Sequence, residues 1–311
     1  MTVKRKRIPK QESKVSGGET ETHDKSYGVV LIAIGNTYYA KAAVNMVISI
    51  KSYAKDINVT LVTQGDILNH IEPDEVALFD NIIKAPDNYT NGIRGYDVFK
   101  CKLHLDELTP YDQTLYIDVD AIWNNDHSIH EFIKSFDGIG FTCGNRGRIS
   151  TTDKVLRSKW MDLNKIQFMY KIDQVYDLSS EVMYFEKGTK VFEAARDVYE
   201  DLRIEVNSFG AGFPDEVFIM VAIELVRTRL RYSPFYPTYW QPHYFYDRIQ
   251  AKKESEIRQF KILSLGGAFT ANNVKRLYEN MAGASYFQAG INKTPYQLRN
   301  KSGEIKERRQ I

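Results

Sequence analysis

The stretch Leu115-Tyr116-Ile117-Asp118-Val119-Asp120-Ala121-Ile122-Trp123 is apolar except for its two aspartates. Two carboxylates side by side in an apolar setting are costly unless a cation offsets their charge. Because alternate residues of an extended chain point the same way, Asp118 and Asp120 can face one ion while Val119 packs behind them. Their oxygens suit Mg²⁺ or Mn²⁺, which keep coordination positions for water and substrate phosphates. The stretch therefore predicts a strand that ends in a metal-diphosphate site; the alternative is a turn with two solvated acids.

Length and composition indicate a soluble globular protein. A chain of 311 residues corresponds to about two domains of ordinary size or to one large α/β domain. Hydrophobic residues make up 43% of the chain, which is enough to form a core. The 42 lysines and arginines balance the 40 acidic residues to a net charge of +2, so charge alone favours neither nucleic acid nor a membrane surface as partner.

Cysteine content and the N-terminus bear on the compartment. Cys101 and Cys143 form neither a metal-ligand spacing nor a disulfide framework, which favours a reducing environment. The N-terminus is basic but lacks the apolar segment of a signal peptide, and no stretch approaches the length of a membrane span. We therefore expect a cytoplasmic protein without membrane association, and the sequence does not indicate its oligomeric state.

The hydrophobic pattern predicts one folded domain between two tails. Residues 1–26 are polar and partly basic, residues 291–311 are charged, and we expect the first segment to be a disordered tail. The domain spans residues 27–290 and opens with the apolar run 27–34, which is typical of a central parallel strand. Further predicted strands cover 57–62, 81–85, 138–143, 182–185 and 262–265, and predicted helices cover 40–53, 98–105, 191–202, 214–225 and 274–281. This order predicts an α/β domain with a mostly parallel central sheet flanked by helices.

Three segments carry a resemblance to a known family: AIGNTYYAKAAVNMVISI (33–50), FKCKLHLDELTPYDQTLYIDVDAIW (99–123) and PDEVF (214–218). Together they resemble the glycosyltransferases of the A-type (GT-A) fold, in particular the glycogenin and lipopolysaccharide galactosyltransferase family, glycosyltransferase family 8. The likeness runs over about residues 27–280, and the acidic motif is its specific part. It implies a single GT-A, Rossmann-like domain in which residues 27–145 bind a nucleotide-sugar and residues 146–290 bind the acceptor.

The resemblance assigns residues to the donor, which it implies to be a nucleotide diphospho-sugar such as a UDP-sugar. The family's nucleoside-binding turn falls on Gly35, Asn36, Thr37 and Tyr38. The ring of Tyr38 either stacks on uracil or only packs against the protein. The family's basic residue falls on Lys102, or on Lys100 after a small shift. That lysine either steadies the diphosphate or lies solvated on a helix face.

The metal ligands implied by the resemblance are Asp118 and Asp120, with Mn²⁺ or Mg²⁺ as the cofactor. In the family, a later His-x-x-Gly turn completes the metal shell with its histidine. Here that turn reads Ser264-Leu265-Gly266-Gly267, so the histidine is absent. The backbone amides of Gly266 and Gly267 can still hold a phosphate, although two glycines in a loop are also ordinary turn residues.

The catalytic candidates implied by the resemblance lie in the second half of the domain. The family's sugar-contacting turn falls on residues 179–181, with Ser180 as a binding residue and Glu181 as a catalytic candidate. Its later acidic pair falls on Asp215 and Glu216, which would stabilise an oxocarbenium-like centre or orient the acceptor hydroxyl. Asp215 also has a purely structural alternative as a helix N-cap, because it follows a proline at the start of an apolar helix.

The acceptor is less defined. The aromatic residues in 232–246 either form a platform for a sugar or base, or belong to the core. A glycan or protein acceptor is favoured over a hydroxymethylated base in DNA, because the domain has no large charge excess despite the basic residues 4–7.

The sequence thus predicts a metal-dependent glycosyltransferase, retaining if the likeness holds. Two alternatives stay open: a nucleotidyltransferase of similar fold, and a non-catalytic module that binds a nucleotide-sugar. A nucleotidyltransferase usually carries a glycine-rich basic loop after its first strand, and residues 35–37 do not form one.

Overall fold

The computed structural model describes residues 26–51, 53–64, 67–123, 127–152, 160–208, 211–230, 239–240, 261–264, 298–299 and 305–306. The strands in this part of the chain are β1 (Tyr27–Ala33), β2 (Asn58–Thr63), β3 (Asn81–Lys84), β4 (Asn91–Gly92), β5 (Gly95–Tyr96), β6 (Gln113–Ile117), β7 (Ala121–Trp123), β8 (Phe141–Ser150), β9 (Gln174–Glu186), β10 (Tyr239–Trp240), β11 (Ile262–Ser264), β12 (Leu298–Arg299) and β13 (Ile305–Lys306). The helices are α1 (Thr37–Lys51), α2 (Pro73–Val76), α3 (Asp87–Thr90), α4 (Val98–Lys102), α5 (Leu105–Leu108), α6 (Ile129–Lys134), α7 (Asn164–Tyr170), α8 (Val191–Leu202) and α9 (Asp215–Leu225).

A six-stranded sheet in the order β3-β2-β1-β6-β9-β8 forms the centre of the molecule. β3, β2, β1 and β6 run parallel to one another, while β9 runs antiparallel to both β6 and β8. β1, β2 and β6 are almost continuously buried, as parallel strands covered on both faces must be. The predicted α/β class with a mostly parallel central sheet is therefore confirmed.

The two faces of the sheet carry separate hydrophobic clusters. Val29 and Leu31 of β1 belong to the cluster that includes α1 and α6, whereas Val30 and Ile32 belong to the cluster that includes α8 and α9. This division follows from the alternation of side chains along an extended strand. α9 is buried on almost all of its faces, so it packs as an interior helix.

The carboxyl ends of β1 and β6 lie side by side, because Val30 pairs with Tyr116. Parallel α/β sheets bind their ligands at this edge. β9 reaches the same place through a bulge: Cys143 pairs with Met183, but the next residue, Gly144, pairs with Ser179. The intervening residues 180–182 therefore leave the regular β8–β9 ladder next to the end of β6.

Both cysteines are buried free thiols. Among the described residues, no helix is both long enough and apolar enough to cross a membrane.

Candidate active site

A buried lysine holds the first aspartate of the acidic motif. Lys102 is 4% exposed, and its Nζ lies 2.8 Å from Oδ1 of Asp118 and 3.1 Å from Oδ2. The hydroxyl of Tyr116 also donates to the Asp118 carboxylate. Burial alone would lower the pKa of Lys102, but the charges of Asp118 and Asp215 outweigh that effect and raise it. Lys102 is therefore a fixed cation at neutral pH.

Asp215 approaches the same ammonium from α9. It is the first helical residue, with Pro214 at the N-cap position, and it is 1% exposed. Its Oδ1 lies 4.0 Å from Nζ of Lys102, and its Oδ2 has no hydrogen-bond partner among the described residues. Burial raises the pKa of Asp215, while the Lys102 charge and the Ser180 hydroxyl act in the opposite direction. An unpartnered carboxylate oxygen at such depth is suited to bind a ligand hydroxyl.

Negative charge accumulates around the second aspartate of the motif. Burial raises the pKa of Asp120 well above its ordinary value, and the charges of Asp118 and Glu181 raise it further. Burial and the charges of Asp120 and Asp118 also raise the pKa of the Tyr39 phenol. A cation at this point would relieve the crowding of like charges.

The acidic motif meets the chemical requirements of Mg²⁺ or Mn²⁺ in part. Asp118 and Asp120 supply hard carboxylate oxygens at the edge where ligands bind, and Asp118 keeps 21% of its side chain exposed despite its contact with Lys102. Within the described ranges, no group of three Asp, Glu, His or Cys side chains could hold a metal ion. Two carboxylates completed by water and substrate phosphates are an ordinary shell for these ions. The residues present therefore fit a divalent ion that is bound together with a diphosphate.

The predicted nucleoside-binding turn lies at the carboxyl end of β1. Gly35 has a φ of +84°, a conformation that other residues rarely adopt, and Gly35 and Asn36 are both exposed. Thr37 and Tyr38 open α1, but their side chains lie outside the part that the structure describes. The stacking of Tyr38 on a base therefore stays a prediction.

The two lysines proposed for the basic position have different surroundings. Lys102 contacts Asp118, whereas Nζ of Lys100 lies 5.9 Å from the ring centre of Tyr199 on α8. The fold thus brings Lys102, and not Lys100, to the acidic motif.

The bulge of β9 brings the predicted sugar-contacting turn to the acidic motif. The backbone N–H of Asp118 donates to the carbonyl oxygen of Glu181 at 2.8 Å. Ser180 is 3% exposed and Glu181 is half-buried. Glu216, also half-buried, adds its charge to those acting on Lys102.

The predicted phosphate-binding turn begins beside the acidic motif. Ser264, the last residue of β11, pairs with Ala121, which directly follows Asp120. Gly266 and Gly267 lie outside the described residues. The predicted helix 274–281 also lies outside them, and of the aromatic segment 232–246 only the backbone of β10 is described.

Sequence reasoning missed one residue that contacts the acidic motif, Tyr116, and one buried residue beside the site, Asp97. Tyr116 precedes Asp118 by two positions, so the alternation of an extended chain already places the two side chains on one face. Asp97 is a buried carboxylate that caps α4, and its charge interacts with that of Asp215. Only its position ahead of an apolar helical segment could have indicated it.

Comparisons with known proteins bear on the fold. No protein-family model and no curated protein matches the chain by sequence. Among solved structures, the apo form of the bifunctional glycosyltransferase WbbM matches with a TM-score of 0.53 and 14% identity, over 88% of this chain. This chain spans about half (52%) of WbbM.

A second solved structure matches over nearly its whole length. The galactosyltransferase LgtC, in complex with donor and acceptor sugar analogs, has a TM-score of 0.51 and 13% identity, over 86% of this chain and 96% of LgtC. Identities this low are informative about architecture, and function must be argued from the site. The mostly parallel sheet and the match to these two structures show that this chain has the GT-A fold.

Proposed function

We propose that this protein is a glycosyltransferase that uses Mn²⁺ or Mg²⁺ and moves a sugar from a nucleotide diphospho-sugar, most simply a UDP-sugar, to an acceptor hydroxyl. One observation carries the proposal: a buried ammonium, Lys102, lies between the acidic motif and a second buried carboxylate, Asp215, at the ligand-binding edge of a GT-A sheet. A site that only stabilised the fold would gain little from such an arrangement, because burying charged groups is costly.

Asp118 and Asp120 would hold the ion, and the bound ion would neutralise the charge that develops on the departing diphosphate. Lys102 fixes the orientation of Asp118 through its 2.8 Å contact and supplies a permanent positive charge close to the ion's place. A preorganised charge of this kind lowers the barrier because it needs no reorientation during the reaction.

Asp215 and Glu216 are proposed to act on the sugar. The unpartnered Oδ2 of Asp215 can accept a hydrogen bond from a sugar hydroxyl or stabilise positive charge at the anomeric carbon. Glu181 lies on the bulge of β9, where its carbonyl oxygen accepts a hydrogen bond from the backbone N–H of Asp118. Retention of anomeric configuration follows from the family resemblance, and a glycan or protein acceptor is favoured by the small net charge; both belong to this proposal.

The experiment is a panel of UDP-sugars with Mn²⁺, in which released UDP is measured with and without glycan and peptide acceptors. The proposal requires release from at least one UDP-sugar that stops when the ion is chelated. Tight UDP binding without turnover of any sugar would favour a binding module. Release of pyrophosphate from a nucleoside triphosphate and a sugar phosphate would identify a nucleotidyltransferase.

Two variants test the acidic motif. Asp118→Asn and Asp120→Asn each remove a charge without changing volume, so each should lower transfer about 100-fold or more and abolish Mn²⁺-dependent UDP binding. Asp74→Asn, which alters an exposed carboxylate on α2, is the control and should leave both unchanged. Mn²⁺-dependent UDP affinity that persists in both motif variants would exclude the assignment.

A further inference from the structure

Two helices that are distant in sequence carry charged residues of the site, and the buried residue Asp97 lies between the segments that lead into them. α4 carries Lys102 and α9 carries Asp215. Asp97 precedes α4, is 1% exposed, and its Oδ1 accepts a hydrogen bond of 3.1 Å from the backbone N–H of Lys100. Its own backbone N–H donates to the carbonyl oxygen of Thr90 at 2.6 Å. Asp97 is therefore fixed from both its backbone and its side chain.

Gly212, in the segment that leads into α9, packs directly on this carboxylate. A Cβ atom placed on Gly212 would lie 2.0 Å from both Cγ and Oδ1 of Asp97 and 2.1 Å from Oδ2. The φ of Gly212 is outside the left-handed region, so its conformation does not require glycine. Glycine is required because any side chain at position 212 would clash with the carboxylate of Asp97.

The β4–β5 hairpin also contacts the segment that leads into α9. The backbone N–H of Ile93 donates to the carbonyl oxygen of Ala211 at 2.7 Å. A Cβ on Gly92 would lie 2.3 Å from that oxygen and 2.9 Å from Cβ of Asp97. The segment 211–212 is therefore held between the hairpin and Asp97, three residues before Asp215.

The carboxylate of Asp97 is not explained by stability. Burial raises its pKa, the charge of Asp215 raises it further, and its Oδ2 has no hydrogen-bond partner among the described residues. Asn or Ser would cap α4 equally well without a buried charge. What Asp97 provides, and Asn would provide but Ser would not, is a rigid planar group against which Gly212 lies.

We propose that Asp97 is a positioning residue, which holds the segment before α9 against α4 through its contact with Gly212 and thereby fixes Asp215 relative to Lys102. The inference rests on the proposed function for its catalytic consequence, whereas its geometric part does not. Loss of the contact moves Asp215 and leaves the Lys102–Asp118 pair in place, because Gly212 belongs to the segment that leads into α9, whereas Lys102 and Asp118 lie in other segments.

The geometric part is tested by crystal structures of the wild type and of Gly212→Ala. The added methyl group forces the segment away from Asp97, so the distance from Lys102 Nζ to Asp215 Oδ1 should exceed its present 4.0 Å while the 2.8 Å contact with Asp118 persists. An unchanged Lys102–Asp215 distance would overturn the proposal, whether or not the protein transfers sugar.

The catalytic part is tested on the sugar-transfer reaction. Gly212→Ala should lower kcat about 100-fold with little change in the KM for the donor. Asp97→Gly should have the same effect, because glycine at the N-cap costs the helix little stability but removes the contact with Gly212. Asp97→Asn keeps the shape of the group and should retain wild-type kcat within about threefold. The double variant Asp97→Gly/Gly212→Ala should be no worse than either single variant, because both act through one contact.

Gly28→Ala is the matched control. Its Cβ would lie 2.4 Å from the ring of Tyr111, but at the amino end of β1, away from the site. If Gly28→Ala lowers kcat as much as Gly212→Ala, the loss reflects general destabilisation and the proposal fails. It also fails if Asp97→Asn is as inactive as Asp97→Gly, since the charge would then matter and not the contact. Absence of transfer by the wild type on every UDP-sugar would instead refute the proposed function.

Discussion

At the scale of single residues, the site is built around one buried positive charge. Lys102 is surrounded by Asp118, Asp215 and Glu216, and their charges keep it protonated in spite of its burial. Such clusters contribute little net stability, because the cost of removing the charges from water cancels most of their attraction. Removing one member is nevertheless expensive, because the remaining charges lose their partner.

Lys102→Met should therefore destabilise the protein by about 3–5 kcal/mol at pH 7, because it leaves Asp215 buried without a cation. Asp215→Asn removes the stranded charge at constant volume, so the double variant should be more stable than Lys102→Met alone. The measurement is the free energy of unfolding in urea for both single variants and the double variant.

Lys165→Met provides the comparison for a surface pair. Lys165 contacts Glu205 at 3.1 Å, and the two side chains are 47% and 34% exposed. Loss of that pair should cost about 1 kcal/mol or less. Equal costs for Lys165→Met and Lys102→Met, or strictly additive effects of Lys102→Met and Asp215→Asn, would show that Lys102 does not compensate Asp215.

At the scale of elements, the N-terminus of α4 carries a buried charge whose effect depends on pH. Burial raises the pKa of Asp97, so the folded state binds a proton at this carboxyl more tightly than the unfolded state does. The stability that this group contributes is fully present below the ordinary carboxyl pKa of about 4 and is lost as the pH rises through the folded-state pKa.

Asp97→Asn should for this reason gain stability relative to the wild type as the pH rises from about 4 to 7, since Asn caps a helix as well as Asp and carries no charge. The difference in free energy of unfolding between the two proteins at each pH is the measurement. Asp162, an exposed carboxylate that accepts from the backbone N–H of Asn164 at 3.0 Å, is the control position, and Asp162→Asn should show no such gain. If instead the wild type becomes more stable relative to Asp97→Asn as the pH rises, the buried carboxylate of Asp97 does not carry a net cost.

Elements with a simple apolar pattern could be predicted from the sequence, and interrupted ones could not. The run 27–34 and the helix after Pro214 were predicted and are seen as β1 and α9. For β9 only 182–185 was predicted, whereas the strand covers Gln174–Glu186. Buried serines and the bulge at 180–182 break its alternation, and a bulge depends on the partner strand β8.

The candidate site shows the same limit. The acidic motif could be identified because two charges interrupt an apolar run of sequence, although the strand β6 already ends at Ile117 and the two aspartates lie in the connection to β7. The choice between Lys100 and Lys102 and the contact of Asp97 with Gly212 depend on how α4 packs against β1 and α9, and a local pattern does not contain that information.

At the scale of the whole molecule, the topology brings four separate segments to one edge of the sheet. β1 and β6 end there, the bulge of β9 lies beside them, and β11 runs antiparallel to β7 toward Asp120. A ligand that contacts all four segments binds only the folded chain. Its binding energy is therefore added to the stability of the fold.

UDP together with Mn²⁺ should consequently raise the melting temperature. At about 100 times its Kd, a ligand stabilises the folded state by about 2.7 kcal/mol. For a domain of this size that corresponds to a shift of about 5–10 °C. The melting temperature is measured with UDP, with Mn²⁺, with both together, and with UDP in the presence of a chelator, at matched concentrations.

The pattern across these four conditions distinguishes how the diphosphate is held. If Asp118 and Asp120 bind the ion jointly with the diphosphate, the shift with both ligands exceeds the sum of the separate shifts, and Asp120→Asn removes the excess while Asp74→Asn keeps it. If UDP stabilises the protein equally with and without the ion, the diphosphate binds without a metal bridge, and the proposed cofactor requirement is wrong.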